Sequence, residues 1–165
     1  MHEAHACIMN LSQRESGLIT RYESICRENE VLTLPGTPFS VLLLCDHVIA
    51  QEDIRRQCET LIRSGCAFFA AVGKHHLQWH LAFDEANLRH SPDLEEDKTI
   101  TTISREALEL DSVEEWVLTS EHPLADIDQG ILLYENKSQL EIVEGFLHRA
   151  FQQAGDGIHD NQPGT

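Results

Sequence analysis

Chemistry has few places to start in this chain. Cys45-Asp46-His47 closes its most apolar run, and Gly73-Lys74-His75-His76 closes the next. A thiol beside an imidazole can surrender its proton to the ring, and a carboxylate can orient that ring. Cys45 with His75 or His76, and Asp46 as the orienting acid, would make the core of a small hydrolase or transferase. The spacing is generic, however, and no glycines frame the cysteine as a nucleophile elbow would. The plainer account puts Cys45 in the core, uses Asp46 to cap the following helix and leaves the histidines at the surface.

His76, His80 and Asp84 recur at i, i+4 and i+8, and two histidines so spaced can reach one Zn²⁺. No H-E-x-x-H is present and nothing indicates a fourth ligand, so metal is not the preferred reading; His2 and His5 are weaker candidates still. Gly73-Lys74 lacks the preceding glycine of a phosphate loop, and no G-x-G-x-x-G occurs. Asp93, Glu95, Glu96 and Asp97 lack the spacing that wraps Ca²⁺, which leaves a solvated acidic loop. No cofactor is expected, and the balance leans away from an enzyme.

The elements that must position these residues are clearer. Phe39 to Cys45 is an apolar run interrupted only by Ser40, as in a strand buried on both faces. Ile54, Cys58, Leu61 and Ile62 form one stripe of a helix over 51–64, opposite Arg56, Glu59 and Arg63, and Gly65 stands where a left-handed cap belongs. Cys66 to Val72 is a second buried run. A strand–helix–strand unit of this kind favours parallel pairing through a right-handed crossover. A second helix over about 75–90 is apolar on two sides: Leu77, Leu81 and Leu88 on one, Trp79, Ala82, Phe83 and Ala86 on the other. The second arc, with Trp79 and Phe83, is the candidate for a homodimer or partner contact.

Upstream, Leu11, Leu18, Ile19, Tyr22, Ile25 and Cys26 suggest a helix over 11–29, and Val31 to Leu34 a short strand before the turn at 35–38. Downstream, Thr99 to Ile103 reads as a strand, Asp111 with Glu114 as the start of a helix ending near Thr119, and Ile131 to Tyr134 as another strand. The last helix has Ser138 and Glu141 as its capping pair, Leu140, Val143, Phe146, Leu147, Ala150 and Phe151 as its apolar arc, and Gly155 as its end. The alternation predicts a three-layer Rossmann-like or flavodoxin-like α/β domain with a mostly parallel sheet of four or five strands. Residues 1–30 would be a helical segment packed on it, 31–154 the domain, and 155–165 a disordered tail.

Among 165 residues, 41% are apolar and 24% charged, enough for one hydrophobic core without staples. Five cysteines, with no C-x-x-C pair, argue for a reducing compartment, and the N-terminus lacks the pattern of a signal peptide. The expected location is the cytoplasm, with no membrane contact. The formal charge of −16 is uneven: 11 acids face 8 Lys/Arg in residues 1–90, but 17 face 4 in residues 91–165. Phosphate backbones need compensating cations, so direct nucleic-acid binding is not expected. The acidic half, including Asp93, Glu95, Glu96, Asp97, Glu114 and Glu115, could instead attract a basic protein, although a solvated face explains such charge equally well.

Residues 61 to about 134 also resemble an uncharacterised family of small bacterial α/β domains. The likeness lies in Ser64-Gly65-Cys66, Gly73, Trp79-His80, Asp84, Ala86-Asn87, an acidic loop, Thr101-Thr102, Trp116 and His122-Pro123. Val72-Gly73 stands where that pattern has Trp-Gly, and Ile103-Ser104 where it has an aromatic and a histidine. A catalytic histidine at that place in the family would be missing here. The resemblance implies a bacterial α/β domain and no activity. The expected role is therefore a non-catalytic interaction protein, such as an immunity or accessory factor, with the Cys45–histidine enzyme as the alternative.

Overall fold

In the computed structural model, residues 6–8, 21–26, 34, 38–90, 100–118, 127 and 129–156 are described. Six strands, β1 (Ala6–Ile8), β2 (Arg21–Cys26), β3 (Phe39–Leu44), β4 (Cys66–Val72), β5 (Thr101–Arg105) and β6 (Gln129–Tyr134), form one sheet in the order β1-β2-β6-β3-β4-β5. β2 through β6 run parallel, and the short edge strand β1 is antiparallel to β2. The helices are α1 (Gln51–Arg63), α2 (His76–His90), α3 (Leu110–Leu118) and α4 (Lys137–Asp156).

The expected strand–helix–strand unit, β3-α1-β4, is present and parallel, with Leu42 beside Ala70 and Leu44 beside Val72. Both runs are apolar, apart from the buried Ser40, because each strand faces two cores. Val41, Leu43, Cys45, Phe69 and Ala71 pack under α1 and α2, while Leu42, Leu44, Phe68, Ala70 and Val72 pack with Trp116, Val117, Val143 and Leu147 of α3 and α4. This is the predicted three-layer domain. Its order β5-β4-β3-β6 is that of the first four strands of a Rossmann sheet, 3-2-1-4, so the topology reverses between β3 and β6.

Several local expectations are corrected. The predicted helix over 11–29 fails at 21–26, which is β2. Tyr22 reaches one core and Ile25 the other, as alternation in a strand requires. Pairing along six residues of β6 outweighed a weak helical spacing. On α2 the two arcs exchange roles. Trp79 and Phe83, expected as a contact surface, are fully buried, Phe83 stacking on Phe69 at 4.1 Å between centroids. Large rings flanked by Ala82 and Ala86 bury more area and lie closer to the sheet than three leucines would. It is Leu77, Leu81 and Leu88 that remain exposed.

Asp111 lies within the first turn of α3 rather than at its cap. For α4 the capping residue is Asn136, whose Oδ1 accepts from the Gln139 amide at 3.0 Å, two positions before Ser138. The helix runs through Gly155 to Asp156. Residues 1–5, 9–20, 27–33, 35–37, 91–99, 119–126, 128 and 157–165 lie outside the described residues, and with them His2, His5, Asp93, Glu95, Glu96, Asp97, most of the proposed 31–34 strand and the proposed tail beyond Asp156. Leu34 itself belongs to no strand.

Candidate functional site at the sheet switch point

Where a parallel sheet reverses its order, the loops leaving the two central strands diverge and open a crevice. Here those loops begin with Cys45-Asp46-His47 after β3 and Glu135-Asn136 after β6. The first was singled out from sequence; the second was not.

Glu135 dominates the junction. Its carboxyl group is fully buried, and its Oε1 accepts the Asp46 amide at 2.6 Å while its Oε2 accepts the His47 amide at 3.0 Å. Gln139, one turn into α4, donates from Nε2 to Glu135 Oε1 at 3.0 Å and to Asp46 Oδ2 at 3.2 Å, and its Oε1 accepts the Glu135 amide at 2.8 Å. Asp46 Oδ1 in turn accepts the Lys74 amide at 3.0 Å. One hydrogen-bonded chain thus ties together the loops after β3, β4 and β6.

Gly73 allows the close approach within this knot. Its φ of +137° is open to glycine, and a Cβ there would stand 2.8 Å from the backbone C and O of Cys45 and 2.9 Å from Asp46 Oδ1. The Cys45 carbonyl can then accept the His75 amide at 2.9 Å, and the Cys45 amide donates to Val72 O at 2.9 Å.

These contacts give each predicted residue a place. The Cys45 thiol is fully buried, and its Sγ donates to Val72 O at 3.4 Å. Asp46 does not cap α1, whose N-cap is Ala50 without a side-chain bond; it links two loops instead. In the β3 loop His47 approaches a carboxylate, with Nδ1 3.5 Å from Glu135 Oε2. His75 is joined to Cys45 through backbone atoms, and His75 on the loop and His76 at the first position of α2 are half-buried. His80 Nε2 meets Asp84 Oδ2 at 3.1 Å, and Asp84 Oδ1 accepts Thr102 Oγ1 at 3.0 Å, which fastens α2 to β5. Among the described residues no three His, Cys, Asp or Glu groups converge to hold a metal ion. Glu115 is engaged by Arg105 Nη2 at 2.7 Å, whereas Glu114 is half-buried on α3.

The residues missed from sequence are Glu135 and Gln139. Glu135 follows its strand directly, as Cys45 follows β3, but only the strand order shows that β6 lies beside β3.

A family model for a domain of unknown function, DUF7684, matches residues 21–150. The chain belongs to that family. An uncharacterised family was the expectation from the spaced residues, all of which lie inside the matched span. No curated protein and no solved structure matches the chain. The family description names no activity, so the chemistry rests on the geometry. Backbone N–H groups at the β3 loop are where this layout presents donors to an anion. In this member of the family they are taken by the chain's own carboxylate. A phosphate at that position would have to displace Glu135 and then face its charge.

Proposed function

We propose that this domain is a non-catalytic interaction module that receives a basic protein on its acidic α3/α4 side, in the manner of a bacterial immunity or accessory factor. The observation that carries the reading is the closed switch point: Glu135 and Gln139 fill with internal hydrogen bonds the crevice where a Rossmann-like sheet ordinarily takes a ligand. A fold released from that task is free to serve through its surface.

The surface has an uneven charge to serve with. Helices α3 and α4 carry six carboxylates against two Lys/Arg, while α1 and α2 carry five against four. Glu106 and Glu109 on the loop before α3, Asp111 in its first turn, and Glu141 and Glu144 on α4 are exposed. Such a field accelerates encounter with a cationic partner and selects against anionic ones. Among the described residues no helix is long and apolar enough to cross a membrane.

The test is affinity capture with wild-type protein and with Glu109→Lys/Asp111→Lys/Glu144→Lys, each in low and high salt. The expected result is a basic protein retained by the wild type in low salt, released by high salt and absent from the variant. Equal capture by both proteins, or no partner at any ionic strength, would overturn the proposal.

The alternative, a cysteine-dependent hydrolase or transferase using Cys45, is favoured by one fact, the position of Cys45 at the carboxyl end of β3. Burial and the bond to Val72 O oppose it. Rapid labelling of Cys45 by a thiol reagent at neutral pH, faster than Cys58 and Cys66, would revive it.

A further inference from the structure

We infer that the outer edge of β5, beside the acidic α3, receives the partner's cationic segment as an added strand. The inference rests on the proposed basic partner and gives the form in which that partner binds: an extended stretch with Lys or Arg on both of its faces.

β5 closes one side of the sheet, and among the described residues no strand pairs with its outer side. The opposite edge, β1, is only three residues long. The N–H and C=O of one strand residue point to the same side, and the side alternates along the strand. Arg105 O accepts the Gly73 amide at 2.9 Å, so Arg105 turns its backbone groups towards β4, as do Ile103 and Thr101. Those of Thr102 and Ser104 therefore face outwards. Exposed edges are ordinarily guarded by proline, lysine, a bulge or extreme brevity. Thr-Thr-Ile-Ser-Arg has no proline or lysine, and all five residues pair with β4 in unbroken register.

Its one charged residue shows what this edge attracts. Arg105 Nη1 donates to Ser104 O on the outer side at 3.0 Å, and Nη2 donates to Glu115 Oε1 at 2.7 Å. A guanidinium thus bridges an edge carbonyl and a carboxylate of α3. The other face of the sheet offers a second carboxylate. Asp84 of α2 accepts Thr102 Oγ1 at 3.0 Å and meets His80 at 3.1 Å, yet its side chain is 43% exposed. Side chains of an added strand, about 4.8 Å from β5, alternate between the two faces, so neighbouring cations reach Glu115 and Asp84 in turn.

Charge also selects the occupant. Residues 91–118, which contain β5 and α3, carry nine Asp/Glu against Lys98 and Arg105. A cationic strand relieves that excess. A second copy would bring another Asp84 and another Glu115 to the same seam, where like charges oppose pairing. In strand addition the backbone bonds supply affinity and the flanking side chains supply selection.

The experiment titrates the full chain in low salt with the synthetic peptide Lys-Arg-Val-Thr-Lys-Arg-Val-Thr and with a twin N-methylated at its central amides. The twin keeps every charge and cannot pair as a strand. Ser104→Pro removes an outward N–H that β4 does not use, at a position where an edge strand tolerates proline. The dissociation constant is expected to rise about tenfold or more for the twin and for Ser104→Pro. Bound peptide should slow hydrogen exchange at the Thr102 and Ser104 amides of wild type, a readout that stands even if the proline variant fails to fold. Arg105→Ala, which vacates Ser104 O and Glu115, should tighten binding. Equal binding of peptide and twin, or unchanged exchange at Thr102 and Ser104, would overturn the added strand and leave the acidic-face reading standing. Weaker binding by Arg105→Ala, or no binding of the peptide up to about 1 mM, would overturn it too. So would a wild type that sediments as a dimer while Ser104→Pro does not, because the edge would then belong to a second copy. Failure of the salt-dependent capture counts against the basic partner and is read separately, on whole proteins.

Discussion

Replacing Glu135 by glutamine tests the closed crevice most directly. The change keeps the side-chain volume and removes the charge together with one acceptor oxygen. At present Oε1 accepts from Asp46 N at 2.6 Å and Gln139 Nε2 at 3.0 Å, and Oε2 from His47 N at 3.0 Å. The amide can retain its oxygen on the Oε1 side and keep two of these bonds, but its NH₂ then faces the His47 N–H. One donor is left unsatisfied, at about 1–3 kcal/mol, and the two surviving bonds lose their charge assistance, about 1 kcal/mol each. Neutralising a buried group returns part of its desolvation, so the net loss should be about 2–4 kcal/mol. With a urea slope of about 2 kcal/mol/M, the midpoint should fall by about 1–2 M. Hydrogen exchange should show the Asp46 and His47 amides opening faster than those of α1. A midpoint within about 0.2 M of wild type, on the same slope, would show that Glu135 does not hold the crevice shut and would remove the main support for the proposed function.

Three further outcomes are expected. Gly73→Ala should destabilise by about 2–3 kcal/mol in urea unfolding, because its Cβ would meet the Cys45 backbone at 2.8 Å with φ at +137°; an unchanged midpoint would contradict the close approach. Gly145→Ala, on exposed α4 with nothing within 4 Å of the new methyl, should gain about 1 kcal/mol and raise the melting temperature by a few degrees. Burial pushes the Cys58 thiol from 9.0 up to about 12, Arg89 opposing and Glu59 adding, and burial pushes Cys66 up as well, opposed by hydrogen bonding with the Phe68 backbone. Above pH 9 the unfolded chain releases these protons while the folded one keeps them. The unfolded state then binds fewer protons, so the stability present below pH 9 should fall towards pH 12, by at most about 1.4 kcal/mol per pH unit per thiol. Urea midpoints at pH 8 and pH 10 should diverge more in wild type than in Cys58→Ala/Cys66→Ala, and equal divergence would refute the assignment.

Much of the architecture was written in local pattern. Phe39–Leu44, but for the buried Ser40, and Cys66–Val72 are apolar along their length because both of their faces are covered, and Ile54, Cys58 and Leu61 repeat at the period of a helix with one buried side. Such signals need no knowledge of the rest of the chain, and they place Cys45, Asp46 and His47 at a strand end. The two apolar arcs of α2 were equally plain, but not which of them would turn inward. That depended on the fit of Trp79 and Phe83 against Phe69 and α1, a comparison of packing between elements. Residues 21–26 show the same limit, since their helical spacing yielded to a ladder with β6 that lies more than a hundred residues downstream.

What the sequence determined by itself is the layered α/β class, the parallel β3-α1-β4 unit and the concentration of negative charge after residue 90, all properties of neighbours along the chain. What only the tertiary structure decided is that β6 inserts beside β3, bringing Glu135 and Gln139 onto the amides of Asp46 and His47. Strand order reflects the free energy of burying whole faces against one another. A carboxylate whose partners lie 88 and 89 residues away carries no local signature of that role.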